Sequence, residues 1–211
     1  MKLLVVNPNT TAAMTEAIVA EVARCAGPGA EVRGVTATFG DAVIASRASF
    51  VVGAHAALDA CRAHAAGSDA VILACFGDPG LAALREVSPV PVVGLAEASI
   101  LEAHRRGEPW SIVTAGEAWE PMLRETVALC GAGERLAGIV TMPASGLDVA
   151  RDRVGFRDRV RAAIDAASGQ GARHVILGGA GFAGMAATLD VPVNIIDCIR
   201  SATAAAIATS Q

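Results

Sequence analysis

Short apolar runs alternate along the chain with longer segments of helical period. The runs at residues 3–6, 70–74 and 175–177 consist of Leu, Val, Ile and Ala without polar alternation, which is typical of buried strands. Residues 14–26 and 154–168 instead repeat apolar positions at spacings of three and four, which predicts helices. Strands that are apolar on both faces and alternate with helices indicate a parallel sheet covered on both sides.

The order of elements repeats, which divides the chain into two similar halves. Residues 74–81 read ACFGDPGL after one apolar run, and residues 178–185 read GGAGFAGM after another, 104 positions later. We therefore predict an α/β fold of two pseudosymmetric, Rossmann-like halves with parallel sheets and an active site in the cleft between them. The predicted division gives residues 1–95 and 192–211 to the first half and residues 96–191 to the second.

Composition excludes several classes of protein. Hydrophobic residues make up 53% of the 211 residues and charged residues 18%, so a disordered chain is excluded. Aromatic residues make up 3% and the net charge is -4, which argues against nucleic-acid or anionic-membrane partners. No apolar run approaches the roughly 20 residues of a membrane span, and the N-terminus reads as a strand. These features predict a cytoplasmic location.

Cysteine, lysine and histidine usage narrows the chemistry. The five cysteines form no CxxC pair, which favours reduced thiols over disulfides or a zinc site. Lys2 is the single lysine, so a P-loop and Schiff-base chemistry lack their central residue. The four histidines are dispersed, and we predict neither a metal nor another cofactor.

Cys75 is the candidate acid/base or nucleophilic group. It follows the buried run at residues 70–74, and Gly77 and Gly80 allow close approach of the backbone. A helix starting just after Cys75 would direct its free N–H groups at the thiol and lower the thiol pKa. The alternative is a packed, inert cysteine.

The turns after the predicted strands supply candidate binding groups. Ligands of parallel α/β folds bind beyond the carboxyl ends of the strands, where these turns lie. Asn and Thr side chains can grip a carboxylate or amide, and glycine amides can form an anion-binding nest. The predicted substrate-binding residues are Asn7, Asn9, Thr10, Phe76, Gly77, Thr114, Gly179, Ala180 and Gly181. Each group also has a structural interpretation. The Asn and Thr side chains could cap helices, the glycines could form structural turns, and Phe76 and Phe182 could pack in the core.

At these residues the chain resembles the hydantoin racemase branch of the aspartate/glutamate racemase superfamily. The matching segments cover nearly the whole length and are residues 7–11 with 14–15, 74–81, 85–86, 91–94 with 97–98, 112–114 and 192–197. The resemblance implies two α/β domains around a carbon acid, with one cysteine on each face. One thiolate removes a proton without a cofactor, and the opposite thiol returns one. Backbone amides and Asn/Thr side chains would stabilise the enolate-like intermediate.

The chain departs from this pattern at the second cysteine. The family motif resembles LGCAGM, whereas Gly179 stands here at the cysteine position. Cys198, which follows another predicted strand, is a candidate substitute. Related decarboxylases of the superfamily keep a single cysteine, although in the other half, so this chain would be their mirror case.

Three functional hypotheses follow for a small-molecule substrate. The first is a racemase or isomerase of a hydantoin-like or amino-acid-derived carbon acid, with Cys75 as acid and base. The second is a single-cysteine decarboxylase or lyase, and the third is a non-catalytic binder of a carboxylate or ureide. The resemblance also implies a homo-oligomer.

Overall fold

Two four-stranded parallel sheets form the framework of the protein in the computed structural model, which describes residues 1–210. The first sheet has the order β2-β1-β3-β4 and the second the order β6-β5-β7-β8. The strands are β1 Lys2–Asn7, β2 Glu31–Thr36, β3 Ala70–Leu73, β4 Val92–Gly94, β5 Trp110–Ala115, β6 Leu136–Met142, β7 His174–Leu177 and β8 Asn194–Asp197. This confirms the predicted α/β class with parallel sheets.

Eight α-helices connect the strands and cover the sheets. They are α1 Ala12–Ala26, α2 Arg47–His64, α3 Leu81–Val87, α4 Leu95–Arg105, α5 Trp119–Leu129, α6 Gly146–Arg151, α7 Arg153–Gly169 and α8 Cys198–Thr209. Short 3₁₀ turns occupy Gly133–Arg135, Ala180–Phe182 and Ala186–Thr188. None of the helices within residues 1–210 is long and apolar enough to cross a membrane.

The middle residues of the central strands are mostly apolar and buried because helices cover both faces of each sheet. Val5 of β1 lies opposite Ile72 of β3, and Ile112 of β5 lies opposite Ile176 of β7. All four side chains are fully buried. Since every strand is parallel, the carboxyl ends of each sheet lie at one edge, where the turns after β1, β3, β5 and β7 meet.

The two halves exchange their last elements. The sequence prediction grouped residues 192–211 with the first half, but β8 pairs with β7 and lies in the second sheet. Helix α8 then crosses back and packs against α1, α4 and β3. The chain therefore changes half at Asp197, where β8 ends and α8 begins.

An aromatic side chain of each half packs directly on a glycine of the other half. A Cβ atom on Gly77 would lie 2.5 Å from the Trp119 ring, and one on Gly178 would overlap the Phe76 ring. Trp119 also packs edge-on against Phe50, with ring centroids 6.3 Å apart. These glycines let the rings sit directly on the backbone, which fixes the two Gly-rich turns face to face.

Candidate active site

A small cavity of about 50 Å³ lies between the two halves at the carboxyl ends of the strands. Its volume is enough for a few water molecules, so a ring-sized ligand would require the lining to move. The lining residues come from both halves and are Asn9, Met14, Val43, Ile44, Ala74, Cys75, Phe76, Thr114, Ala115, Trp119, Gly146, Gly179, Ala180, Gly181 and Phe182. Cys75 is the one thiol among them, and none of them carries a charge.

Cys75 lies just beyond β3 with 9% of its surface exposed. Burial and the nearby negative charge of Asp78 raise the pKa of the thiol well above its ordinary range. The expected lowering of this pKa by a helix was wrong, because α3 begins only at Leu81, six residues later. A raised pKa favours the neutral thiol, and the thiolate of such a group is a strong base.

Asp78 holds the turn that carries Cys75. Its carboxylate accepts hydrogen bonds from the N–H groups of Ala96 (3.0 Å) and Glu97 (2.7 Å) at the start of α4. Its own N–H donates to the Cys75 carbonyl oxygen at 3.0 Å. Burial outweighs these hydrogen bonds and raises the pKa of Asp78 to about 7. This role has no local signal in the sequence, because the helix that Asp78 caps lies 18 positions further along the chain.

The segment at residues 7–11 after β1, called the asparagine loop below, presents the Asn9 side-chain amide to the cavity. The Asn9 side-chain oxygen accepts hydrogen bonds from Asn7 Nδ2 (3.0 Å) and from the Thr11 N–H (2.9 Å). These bonds fix the amide orientation, so its NH₂ group remains for the cavity, where its only protein neighbour within bonding reach is Met14 Sδ at 3.8 Å. Asn7 is fully buried and does not line the cavity, so its contribution is to position Asn9.

Thr10 fixes a covering loop rather than lining the cavity. Its N–H donates to the Asp41 carbonyl oxygen at 3.1 Å, and the Thr11 hydroxyl donates to the Ala42 carbonyl oxygen at 2.8 Å. These bonds tie the loop at residues 37–46 to the asparagine loop. Val43 and Ile44 of that loop line the cavity. Sequence reasoning did not identify these two residues, because they lie seven and eight residues beyond the end of β2 at Thr36.

The turn after β7 forms the cavity wall opposite Cys75. Gly179, Ala180 and Gly181 all line it, as predicted from their position in the second half. Within residues 1–210 the N–H groups of Ala180 and Gly181 donate no hydrogen bond, and neither does that of Phe76 in the first half. Backbone donors are therefore available in both Gly-rich turns.

Thr114 supplies the hydroxyl group of this wall. It is the penultimate residue of β5, is nearly buried and lines the cavity. No hydrogen bond from its hydroxyl to the protein is found in the described part of the chain, which leaves this group free for a ligand. Gly77, by contrast, lies under the Trp119 ring and is absent from the lining.

Cys198 does not line the cavity. It begins α8 and is 2% exposed. Burial and the charge of Asp197 raise its pKa well above the ordinary range, and the nearby Gly179 N–H offsets part of this rise. The predicted substitute thiol therefore lies near Gly179 but outside the lining of the cavity.

Among residues 1–210 no group of three or more His, Cys, Asp or Glu side chains is arranged to bind a metal ion. Trp119 and Met14 are the larger lining side chains that sequence reasoning missed. Both lie on helices, where their apolar character is equally typical of the core.

Comparison with known proteins agrees with this geometry. The Asp/Glu/Hydantoin racemase family model matches residues 3–206. A hydantoin racemase of Pseudomonas sp. (strain NS671) is 33% identical over 197 residues, which cover 92% of this chain and 79% of that protein. The structure of allantoin racemase from Klebsiella pneumoniae superimposes with a TM-score of 0.91 at 31% identity, covering 99% of this chain and 86% of that one.

A more distant structure shares the fold alone. Arylmalonate decarboxylase superimposes with a TM-score of 0.63 at 15% identity, covering 100% of this chain and 92% of that one. The curated relatives named as racemases are isomerases, and the family match extends over almost every element described above. The chain belongs to the Asp/Glu/hydantoin racemase family.

Proposed function

We propose that this protein catalyses cofactor-independent proton transfer at the acidic carbon of a small cyclic ureide such as a 5-substituted hydantoin, with Cys75 as acid and base. The observation that carries the proposal is the position of Cys75, the only thiol in a cavity that both halves line at the ends of their strands. Homologues named hydantoin and allantoin racemases support the class of substrate.

The step requires one group to move a proton and several to stabilise charge. The Cys75 thiolate takes the proton from carbon, and the electron pair of the C–H bond moves toward the adjacent carbonyl oxygen. The free N–H groups of Phe76, Ala180 and Gly181, together with Asn9 and Thr114, are the donors for the resulting enolate oxygen. The thiol then returns a proton to carbon.

The charge of the lining favours a neutral substrate. No Lys, Arg or His side chain lines the cavity, so a dianionic substrate would enter without a cation to offset its lost hydration. A ureide is neutral and offers carbonyl oxygens and N–H groups that match the amide and hydroxyl groups present.

Deuterium uptake tests the proposal. An enantiopure 5-substituted hydantoin is incubated with the protein in D₂O, and loss of the carbon-bound proton is followed by NMR. We expect Cys75→Ser to lower the enzymatic exchange rate by about 10²–10⁴-fold, because the hydroxyl is a far weaker acid than the thiol. Cys130→Ser, which changes a thiol outside the cavity, is the matched control. Exchange that survives in Cys75→Ser would refute the role of Cys75.

A second candidate is a decarboxylase or lyase with one thiol, and Gly179 is the observation that favours it. In that reaction a C–C bond of a malonate-type acid breaks, CO₂ leaves, and the enediolate accepts the Cys75 proton. Release of CO₂ from an arylmalonate, abolished by Cys75→Ser, would support it. Ligand binding without turnover, unchanged by alkylation of Cys75, would instead favour the non-catalytic binder.

Other parts of the proposal are open to simple measurement. Cofactor independence predicts full activity after exhaustive dialysis against a chelator. Homo-oligomeric assembly predicts a mass above that of the 21.2 kDa chain in light scattering. A cytoplasmic location predicts recovery of the protein in the cytosolic fraction of its source cell.

A further inference from the structure

The cavity wall opposite Cys75 contains an aromatic ring beside a glycine. Phe182 lines the cavity, is 3% exposed, and packs in the same core cluster as Met142 and Val149. We propose that Phe182 closes the second face of the cavity, so that Cys75 alone exchanges protons with the substrate and the reaction follows one stereochemical course. This inference rests on the function proposed above.

The ring occupies space that a side chain at residue 179 would need. A Cβ atom built on Gly179 would lie 3.1 Å from Cδ2 and 3.2 Å from Cε2 of Phe182, closer than most real contacts of this kind. Phe182 therefore crowds the position from which a second acid/base side chain would extend.

The backbone of this turn is adapted to glycine. Gly179 has φ 138° and ψ 142°, a conformation that residues with a Cβ rarely adopt. The Phe182 N–H donates to the Gly179 carbonyl oxygen at 3.1 Å, which closes the turn. A Cβ on Gly181 would overlap the Gly146 carbonyl oxygen, so the turn also packs directly against the start of α6. Phe182 and its turn are therefore held by the hydrogen bond within the turn and by packing against the start of α6.

No other group on this face can replace the missing thiol. The Thr114 hydroxyl lies 3.8 Å from the Cβ position of Gly179, but a neutral hydroxyl is too weak an acid to protonate carbon efficiently. Cys198 is not among the residues that line the cavity. The described lining offers one thiol for one face.

The internal repeat shows where the two halves diverge. With the offset of 104, Cys75 corresponds to Gly179 and Asp78 corresponds to Phe182. Asp78 turns away from the cavity to cap α4, whereas Phe182 lines the cavity. The second half therefore has glycine in place of the thiol and an aromatic ring three residues later.

One-sided exchange has a definite balance of bonds. The C–H bond breaks, its proton passes to Sγ of Cys75, and the electron pair enters the enolate. The thiol exchanges its proton with D₂O and returns a deuteron to the same face. Carbon gains deuterium while its configuration is retained.

The first test compares two rates in the unmodified protein. An enantiopure 5-substituted hydantoin is incubated in D₂O, with deuterium content measured by NMR and configuration by chiral chromatography. We expect exchange to exceed racemisation at least about tenfold after correction for the spontaneous reaction. Racemisation as fast as exchange would overturn this inference alone. No exchange at all would overturn the proposed function and this inference together.

The second test uses the predicted coupling between the two positions. Gly179→Cys alone should not racemise, whatever its effect on the exchange rate, because the ring still crowds the space that the new thiol needs. Gly179→Cys combined with Phe182→Met should racemise, because an unbranched, flexible side chain can yield to the thiol. Phe156→Leu, which changes a ring packed against the same core but outside the cavity, is the control.

A single substitution covers the case in which the double variant does not fold, as judged by circular dichroism. Phe182→Leu should open the second face to water and bring the ratio of exchange to racemisation closer to one. Racemisation by Gly179→Cys as fast as by the double variant, or an unchanged ratio in Phe182→Leu, would show that Phe182 is not the barrier.

Discussion

Cys75 combines two properties that favour acid/base chemistry on carbon. It lies in a cavity with little water, and its thiol pKa is raised by burial and by Asp78. A buried thiol is present mainly in its neutral form, and the small fraction of thiolate is strongly basic. Burial therefore raises the basicity of the thiolate and lowers the fraction of Cys75 that is present as thiolate.

This property predicts the pH dependence of exchange. Because the pKa of Cys75 lies above the working range, the thiolate fraction rises about tenfold per pH unit. We expect kcat/KM for deuterium uptake to rise in proportion between about pH 6 and 9, without a plateau. The measurement is the initial exchange rate at each pH, with Cys75→Ser subtracted. A plateau that begins near pH 7 would show that the thiol is not the titrating base.

Gly178 tests the packing of a ring on a backbone at single-residue scale. A Cβ on this residue would overlap the Phe76 ring, so Gly178→Ala should lower the free energy of unfolding by about 1–3 kcal/mol. Gly169→Ala is the control, because no atom lies within 4 Å of a Cβ there. Urea denaturation of both variants gives the comparison. Equal stability of the two variants would contradict the packing described.

At the scale of elements, Asp78 links the start of α4 to the turn that carries Cys75. The carboxylate satisfies two N–H groups of α4 while the same residue closes the turn after Cys75. Two elements that the sequence presents separately thus share one side chain. Asp197, the last residue of β8, caps α8 in the same way by accepting hydrogen bonds from the N–H groups of Ile199 and Arg200.

The raised pKa of Asp78 predicts a pH dependence of stability. Its folded-state value of about 7 exceeds the ordinary 3.8, so the folded protein binds the proton more tightly than the unfolded chain. This contribution is fully present below about pH 4, declines as the pH rises to about 7, and is lost above that.

Asp78→Asn should flatten this part of the stability profile, because the amide does not titrate. Urea unfolding at pH values from 4 to 8 measures it for both proteins. Asp197, whose pKa burial also raises, leaves a smaller slope of the same sign in the variant. Identical slopes in the two proteins would contradict the assignment to Asp78.

At the scale of the whole molecule, the halves are joined by packing as well as by chain crossings. Trp119 from the second half lies on Gly77 of the first, Phe76 lies on Gly178 in return, and α8 packs across the first sheet. A core shared in this way favours cooperative unfolding of both halves.

We therefore expect one unfolding transition, with coincident curves from circular dichroism and tryptophan fluorescence. Trp119→Ala should lower the free energy of unfolding by about 3–5 kcal/mol, because it leaves a cavity between the halves. Leu129→Ala, at a side chain of the same helix that is 89% exposed, should change it by less than about 0.5 kcal/mol. Two separate transitions in the unmodified protein would contradict the shared core.

The sequence by itself determined the class of fold and identified a candidate site. Strands that lack an alternation of apolar and polar residues must be covered by helices on both faces of the sheet. The repeated Gly-rich turns mark the carboxyl ends of β3 and β7. Cys75, Gly179 and their neighbours could be identified because parallel strands bring those ends together. These features can be recognised from the sequence because a buried strand and the Gly-rich turn after it are each formed by neighbouring residues.

Only the tertiary structure decided how those residues act. It placed the Asp78 carboxylate against the start of a helix 18 positions away, turned Thr10 toward the covering loop, and left Cys198 outside the cavity lining. It also reversed the expected direction of the Cys75 pKa and set the Phe182 ring against Gly179. Each of these depends on distances between residues that are remote in sequence, and on exclusion of water by both halves at once.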